Sequence, residues 1–168
     1  MHSDSIKGIG EAMTKIIGIG EMAISNNCND TIKTFALGSC LGITAYSSIR
    51  KVGGIIHIAL PQPARMEDAI DRHCYYATTG LPYFIQQFSS EYGCLKNELV
   101  IRIFGGAESM RQNDTFNVGK HNLEITKKIL KDMNLGIQYS ETGARVSRTI
   151  ELEVASGDIN IWHQNMII

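Results

Sequence analysis

The stretch TFALGSCLGITAYSSIRKVGGIIHIALP, Thr34–Pro61, sets two short apolar runs either side of a polar turn, the pattern of a β-hairpin. Cys40 opens the first run and His57 lies inside the second. A turn at Ser47–Arg50 predicts that Tyr46 faces Lys51 and, counting outward, that Cys40 faces His57. Directly opposed residues of an antiparallel pair hold their Cβ atoms about 4.5–5.5 Å apart, within reach for a thiol to meet an imidazole. A slip of one residue sends the two side chains to opposite faces. Fold and chemistry here depend on one register.

Leu37-Gly38-Ser39 forms a small-residue corner just before the cysteine. Glycine lets the backbone approach a substrate and leaves amides of the Gly38-Ser39 segment free, the material of an oxyanion hole. A thiolate is the strongest side-chain nucleophile at neutral pH, but a free cysteine titrates near about 8.5, so a paired imidazole is what activates it. The same residues have a plainer reading. Cys40 is then a small buried hydrophobe, and His57 a core histidine bonded to a backbone carbonyl. Thr34, six residues before Cys40, orients His57 from an adjacent strand or is an ordinary β-branched strand residue. The residues alone leave both readings open.

The 168 residues suit a single domain with one sizeable core, and 43% hydrophobic with 20% charged is the balance of a soluble globular protein. Sixteen basic against 17 acidic residues give a net charge of −1, which argues against a nucleic-acid groove. Gly and Glu interrupt the N-terminal region, so no secretory signal is read there, and no apolar run approaches the roughly 20 residues of a membrane span. Cys28, Cys40, Cys74 and Cys94 lie far apart with no C-x-x-C, which suits reduced thiols in the cytoplasm. Cys28 and Cys94 have no histidine at metal-ligand spacing, and neighbours such as His73 and Cys74 do not face each other on a helix. Neither a metal nor an organic cofactor is expected.

Residues 1–14 read as a partly ordered tail, leaving 15–168 as the domain. Gly18 and Gly20 suggest a glycine-rich strand end rather than a phosphate loop, because no Lys-Ser/Thr follows. Strands are predicted over 15–19, 31–36, 99–104, 137–139, 148–154 and 159–162, besides the hairpin. One helix is predicted within 67–88, with Tyr75, Leu81, Phe84, Ile85 and Phe88 inward and a break or kink at Gly80 and Pro82. A second runs over 118–134, capped by Asn117, ended by Gly136, with Leu123, Ile129, Leu130 and Met133 on one face. Residues 107–117 are read as a loop. Strands mixed with two long helices indicate an α/β or α+β fold.

Four stretches carry a family resemblance: IGIGEMAIS (Ile17–Ser25), TFALGSCLGITAY (Thr34–Tyr46), GGIIHIALP (Gly53–Pro61) and IFGGA (Ile103–Ala107). VGKHN (Val118–Asn122), the helix after it and Gly143 with Arg148 follow in the same order. The chain resembles CheD, the chemoreceptor glutamine deamidase of bacterial and archaeal chemotaxis, over residues 15–162. The resemblance implies a layered α/β sandwich with mixed sheets, similar to the catalytic domain of cytotoxic necrotizing factor toxins. It implies a cysteine hydrolase with Cys40 as nucleophile, His57 as general base and Thr34 as third member, supported by the Gly38 and Ser39 backbone. The implied substrates are glutamines of methyl-accepting chemotaxis receptors, with methyl esters as a second target. The implied partner is CheC, a response-regulator phosphatase that competes at the substrate surface. Three departures stand out: Ala36 where glycine is common, His121 for a usual arginine, and Thr142 breaking a usual glycine pair before Arg148. Two other functions fit the same residues: a docking module for receptors or a CheC-type protein, and a cysteine hydrolase acting on another protein glutamine.

Overall fold

The computed structural model describes residues 11–111 and 113–166, so most of the expected 1–14 tail lies outside the described residues. The strands are β1 (Thr14–Ile17), β2 (Met22–Ser25), β3 (Thr31–Leu37), β4 (Leu41–Ser47), β5 (Val52–Ile58), β6 (Leu99–Gly105), β7 (Ile137–Thr142), β8 (Val146–Glu153) and β9 (Ile159–Asn165). The helices are α1 (Ala77–Ser90) and α2 (Val118–Asp132). Two sheets form, in the orders β1-β3-β8-β9 and β2-β5-β4-β6-β7. Each is mixed, with β1 parallel to β3 and β6 parallel to β7, and the rest antiparallel.

The layers follow from which residues each strand buries. Leu41, Ile43, Val52, Ile56 and Ile58 pack with Leu81, Phe84 and Phe88 of α1 and Leu130 of α2. The alternate positions turn the other way, where Ile55 and Phe104 meet Ile32, Leu37, Ile150 and Leu152 of the four-stranded sheet. Helices, five-stranded sheet and four-stranded sheet therefore stack as three layers, the expected α/β sandwich. A strand covered on both sides has no polar face, so β4 and β5 read as continuous apolar runs rather than alternating ones.

The hairpin forms in a different register from the one expected. Ser47 pairs with Val52, Tyr46 with Gly53, and His57 faces Gly42 rather than Cys40. The strand continues through Ser47 because its hydroxyl donates to Glu98 at 3.1 Å and accepts from the Arg50 amide at 3.2 Å. Lys51 then closes the turn at φ 55°. The displacement is two residues, and side chains alternate with period two, so Cys40 stays on the His57 side of the sheet.

Other expectations shift at element ends. The break placed at Gly80 and Pro82 falls earlier, in two short 3-10 turns at Met66–Ala69 and His73–Tyr75, and α1 runs through Pro82. Gly80 is required there because a Cβ would sit 2.8 Å from the Cys74 Cα. Leu81, Phe84, Ile85 and Phe88 are buried as expected, whereas Tyr75 lies outside the helix. Asn117 adopts φ 36° and makes no side-chain cap bond among the described residues. α2 ends at Asp132, and the left-handed stop beyond it is Asn134 rather than Gly136: Asn134 takes φ 59°, and the Leu135 amide returns to the Leu130 carbonyl at 2.8 Å. β2 was not expected from the sequence; among the described residues it pairs only with β5, at the sheet edge.

Candidate active site

The two sheets meet at a small polar cluster. His57, 1% exposed, projects from β5 toward the four-stranded sheet, and Thr34, 0% exposed, comes from β3. The β1–β2 turn fixes the His57 backbone from both sides: the His57 amide donates to the Glu21 carbonyl at 3.0 Å, and the Gly20 amide donates to the His57 carbonyl at 2.8 Å. Gly20 takes φ 76° in that turn, which glycine allows without cost. The glycines of IGIGE thus hold a backbone, as a strand end should.

Thr34 Oγ1 lies 2.9 Å from the Ile17 carbonyl and 2.7 Å from His57 Nδ1. A carbonyl only accepts, so the single hydroxyl proton goes to Ile17. Thr34 must then accept from Nδ1–H, and the lone pair of the neutral imidazole is left on Nε2. Nε2 is buried and has no hydrogen-bond partner among the described residues. Burial lowers the His57 pKa from 6.5 to about 4, so the ring is neutral at pH 7. The arrangement is a neutral imidazole with a fixed tautomer and, among the described residues, an unpartnered acceptor nitrogen.

Cys40 sits one residue before β4, half-buried and packed against the inter-sheet core. It is the diagonal neighbour of His57; such positions lie about 7–8 Å apart between backbones, with side chains closer. The intervening partner, Gly42, has no side chain to fill the gap, and a Cβ there would meet Leu37 Cδ1 at 2.8 Å and Ile150 Cδ1 at 2.9 Å. Burial raises the Cys40 thiol above its ordinary value, with partial relief from its own backbone amide. Thiol and imidazole are therefore both neutral at rest, and they are not hydrogen-bonded to each other. Cys74 and Cys94 are buried free thiols on the helix side, where burial pushes Cys74 up to about 11.

The carbonyls of Gly38, Ser39 and Cys40 are each tied down. The Ala107 amide donates to the Gly38 carbonyl at 2.8 Å and the Gly106 amide to the Cys40 carbonyl at 2.9 Å. Between them, Asn122 Nδ2 donates to the Ser39 carbonyl at 3.0 Å, and also to the Ala59 carbonyl at 3.0 Å. Gly105 is required beside them, since a Cβ would lie 2.2 Å from the Cys40 carbonyl oxygen. Arg148, 3% exposed, reaches the Gly143 carbonyl at 3.1 Å and Glu141 at 3.1 Å.

Asn122 was missed as a site residue. The wholly buried positions of α2 are Gly119, Asn122, Thr126 and Leu130, while Leu123, Ile129 and Met133 of the expected face are only partly buried. A glycine, an asparagine and a threonine at helical spacing with one leucine is the signal that was present. Of the three departures, Ala36 takes φ 55° within a bulge of β3, a conformation that explains why glycine suits the position. Thr142 merely ends β7 opposite Gly105, and the left-handed residue in that corner besides Gly143 is Ala144, at φ 56°. His121 is exposed on α2 and lines a shallow groove with Pro61, Gln62 and Lys128.

A family model described as CheD chemotactic sensory transduction matches residues 59–163. A protein of Syntrophotalea carbinolica named "Probable chemoreceptor glutamine deamidase CheD" is 38% identical over 150 residues, 87% of this chain and 91% of that one. One of the same name from Thermococcus kodakarensis is 34% identical, over 86% of this chain and 89% of that one. The solved structure of the Bacillus licheniformis hypothetical protein YfiH superposes with a TM-score of 0.49 at 9% identity, over 74% of this chain and 49% of that one, too distant a likeness to argue from. No helix among the described residues is long and apolar enough to cross a membrane.

Proposed function

The chain belongs to the CheD family, and from that membership we propose that it deamidates selected glutamines of methyl-accepting chemoreceptors to glutamate. The observation that carries this reading is the Thr34–His57 hydrogen bond at 2.7 Å, which leaves a buried, neutral Nε2 facing the Cys40 side of the sheet.

In the proposed reaction, Cys40 Sγ attacks the side-chain carbonyl carbon of glutamine and gives its proton to His57 Nε2. Because burial keeps the resting thiol and imidazole neutral, the proton moves during attack rather than beforehand. Thr34 accepts from Nδ1–H throughout and steadies the imidazolium. Backbone amides of the Gly38–Cys40 corner hold the oxyanion. His57 returns the proton to the amide nitrogen, the C–N bond breaks and ammonia leaves, giving a thioester on Cys40. A water then gives its proton to His57 and attacks the thioester, releasing glutamate and the thiol. No metal or organic cofactor enters any step. A receptor glutamyl methyl ester would pass through the same thioester with methanol as leaving group. Such a reaction belongs to the cytoplasm, where a CheC-type phosphatase covering the Cys40 surface would act as a competitive regulator.

One observation favours a second reading, a docking module that binds receptors or a CheC-type protein without turnover: Cys40 and His57 make no hydrogen bond. Incubation with a cytoplasmic receptor fragment and site-resolved mass spectrometry separates the two. Glutamine-to-glutamate conversion by the wild type, lost in Cys40→Ala, supports the deamidase. Binding without conversion by either protein supports docking. Conversion of a different protein glutamine, with the receptor untouched, supports another substrate for the same chemistry.

A further inference from the structure

Asn122 makes two hydrogen bonds that join the two halves of the site. Its Nδ2 has two hydrogens, and each meets a backbone carbonyl, Ser39 beside the nucleophile and Ala59 just beyond His57 on the same chain run. Carbonyls accept only, so the side-chain amide can be oriented only one way. Asn122 is 0% exposed, and its Oδ1 has no partner among the described residues. A wholly buried amide whose two donors go to backbone carbonyls of separate segments does little to stabilise α2 itself. It sets the distance and attitude of those segments.

A peptide unit is planar and trans, so its C=O and the following N–H point in opposite directions. Holding the Ser39 carbonyl toward Asn122 therefore turns the Cys40 N–H away from the helix. That amide also bears on its own thiol, where it offsets part of the effect of burial. The flanking carbonyls of Gly38 and Cys40 are held by Ala107 and Gly106, and the Ser39 carbonyl between them depends on Asn122. Ser39 is itself exposed, and its carbonyl is held by Asn122.

We propose that Asn122 is a positioning residue: it locks the Ser39–Cys40 peptide so that the Cys40 N–H faces the oxygen of an acyl group forming on Sγ. The proposal rests on Cys40 acting as an acyl-accepting nucleophile and asks nothing of which protein supplies the amide.

Two small reagents test it on the intact chain. Acylation of Cys40 by p-nitrophenyl acetate builds an oxyanion, whereas alkylation by iodoacetamide displaces iodide at a saturated carbon and builds none. In Asn122→Ala, acylation of Cys40 followed by mass spectrometry should slow about 30- to 100-fold, toward the lower bound for loss of an oxyanion donor. Alkylation of the same cysteine, compared at a pH where the thiolate is fully formed, should change less than about threefold, its pH profile moving upward because the Cys40 N–H that Asn122 orients also favours the thiolate. Asn122→Ser, which keeps one donor, should recover part of the acylation rate and serves where the alanine variant does not fold. In the wild type, the Cys40 amide proton should move downfield in NMR when an aldehyde forms a thiohemiacetal on Sγ. Two rates that both hold, or that fall together, overturn the proposal, as does an unmoved Cys40 amide. Receptor deamidation is scored separately, so failure of the substrate assignment and failure of this one are distinguishable.

Discussion

The five-stranded sheet has two faces of unlike make-up. Toward the helices it presents Leu41, Ile43, Val52, Ile56 and Ile58 against Phe84 and Phe88, an apolar layer. Toward the second sheet it mixes apolar Ile55 and Phe104 with His57 and Thr44, and the buried polar Thr34 and Arg148 lie opposite among Ile32, Leu37, Ile150 and Leu152. Glycines at Gly42 and Gly53 let that side close: a Cβ at Gly53 would lie 2.8 Å from Leu152 Cδ2. The apolar face contributes stability through area and packing density. The polar seam costs desolvation for each group it buries, which is the setting that keeps a histidine neutral with a fixed proton. Both faces hold the fold, and the inter-sheet face also carries the histidine.

Substitutions should separate the two faces. Phe84→Ala on the helix side should cost about 3–5 kcal/mol in urea unfolding, while acyl transfer per folded molecule stays unchanged. A matching fall in turnover would mean that the faces are not independent. Acid should act on the seam instead. His57 titrates at about 4 when folded, against 6.5 ordinarily, so the unfolded chain binds more protons between those values. Stability is then full above about pH 6.5 and falls by about 3 kcal/mol as the pH drops toward 4. Chemical unfolding at stepped pH should show that slope in the wild type and lose the His57 part of it in His57→Gln.

Thr34→Val keeps the shape and removes the acceptor for Nδ1–H. A loss of about 1–3 kcal/mol is expected for the stranded donor. Turnover should fall by at least about tenfold, part of the about 10²–10⁴-fold that a positioned base supplies. If turnover is unchanged in the folded fraction, the threonine sets no tautomer. The smallest effect belongs to Ala36→Gly, which relieves φ 55° and should raise stability by about 0.5–1 kcal/mol in thermal melts.

Much of this was legible in the chain. Cys40, His57 and Thr34 lie within one stretch whose apolar runs name a hairpin, and period-two alternation puts the cysteine and histidine on one side whether the turn closes at Arg50 or at Lys51. The register itself was not legible, because Ser47 is held in the strand by Glu98, which arrives through an unrelated turn. Asn122 was hidden for a similar reason: its partners, Ser39 and Ala59, are 83 and 63 residues away. The stop at Asn134 rather than Gly136 was a choice between two neighbouring residues that both suit a left-handed end. Local rules find elements and motifs, while register, helix ends and second-tier hydrogen bonds are decided by distant residues.

Whether Cys40 carries the acyl group is read most directly by quenching turnover of a receptor fragment with acid and mapping adducts by mass spectrometry. A fragment joined to Cys40 through a glutamine-derived thioester is expected in the wild type. In Cys40→Ala no adduct is expected, and the receptor glutamines stay intact. Conversion of those glutamines by Cys40→Ala at the wild-type rate would contradict that role of Cys40.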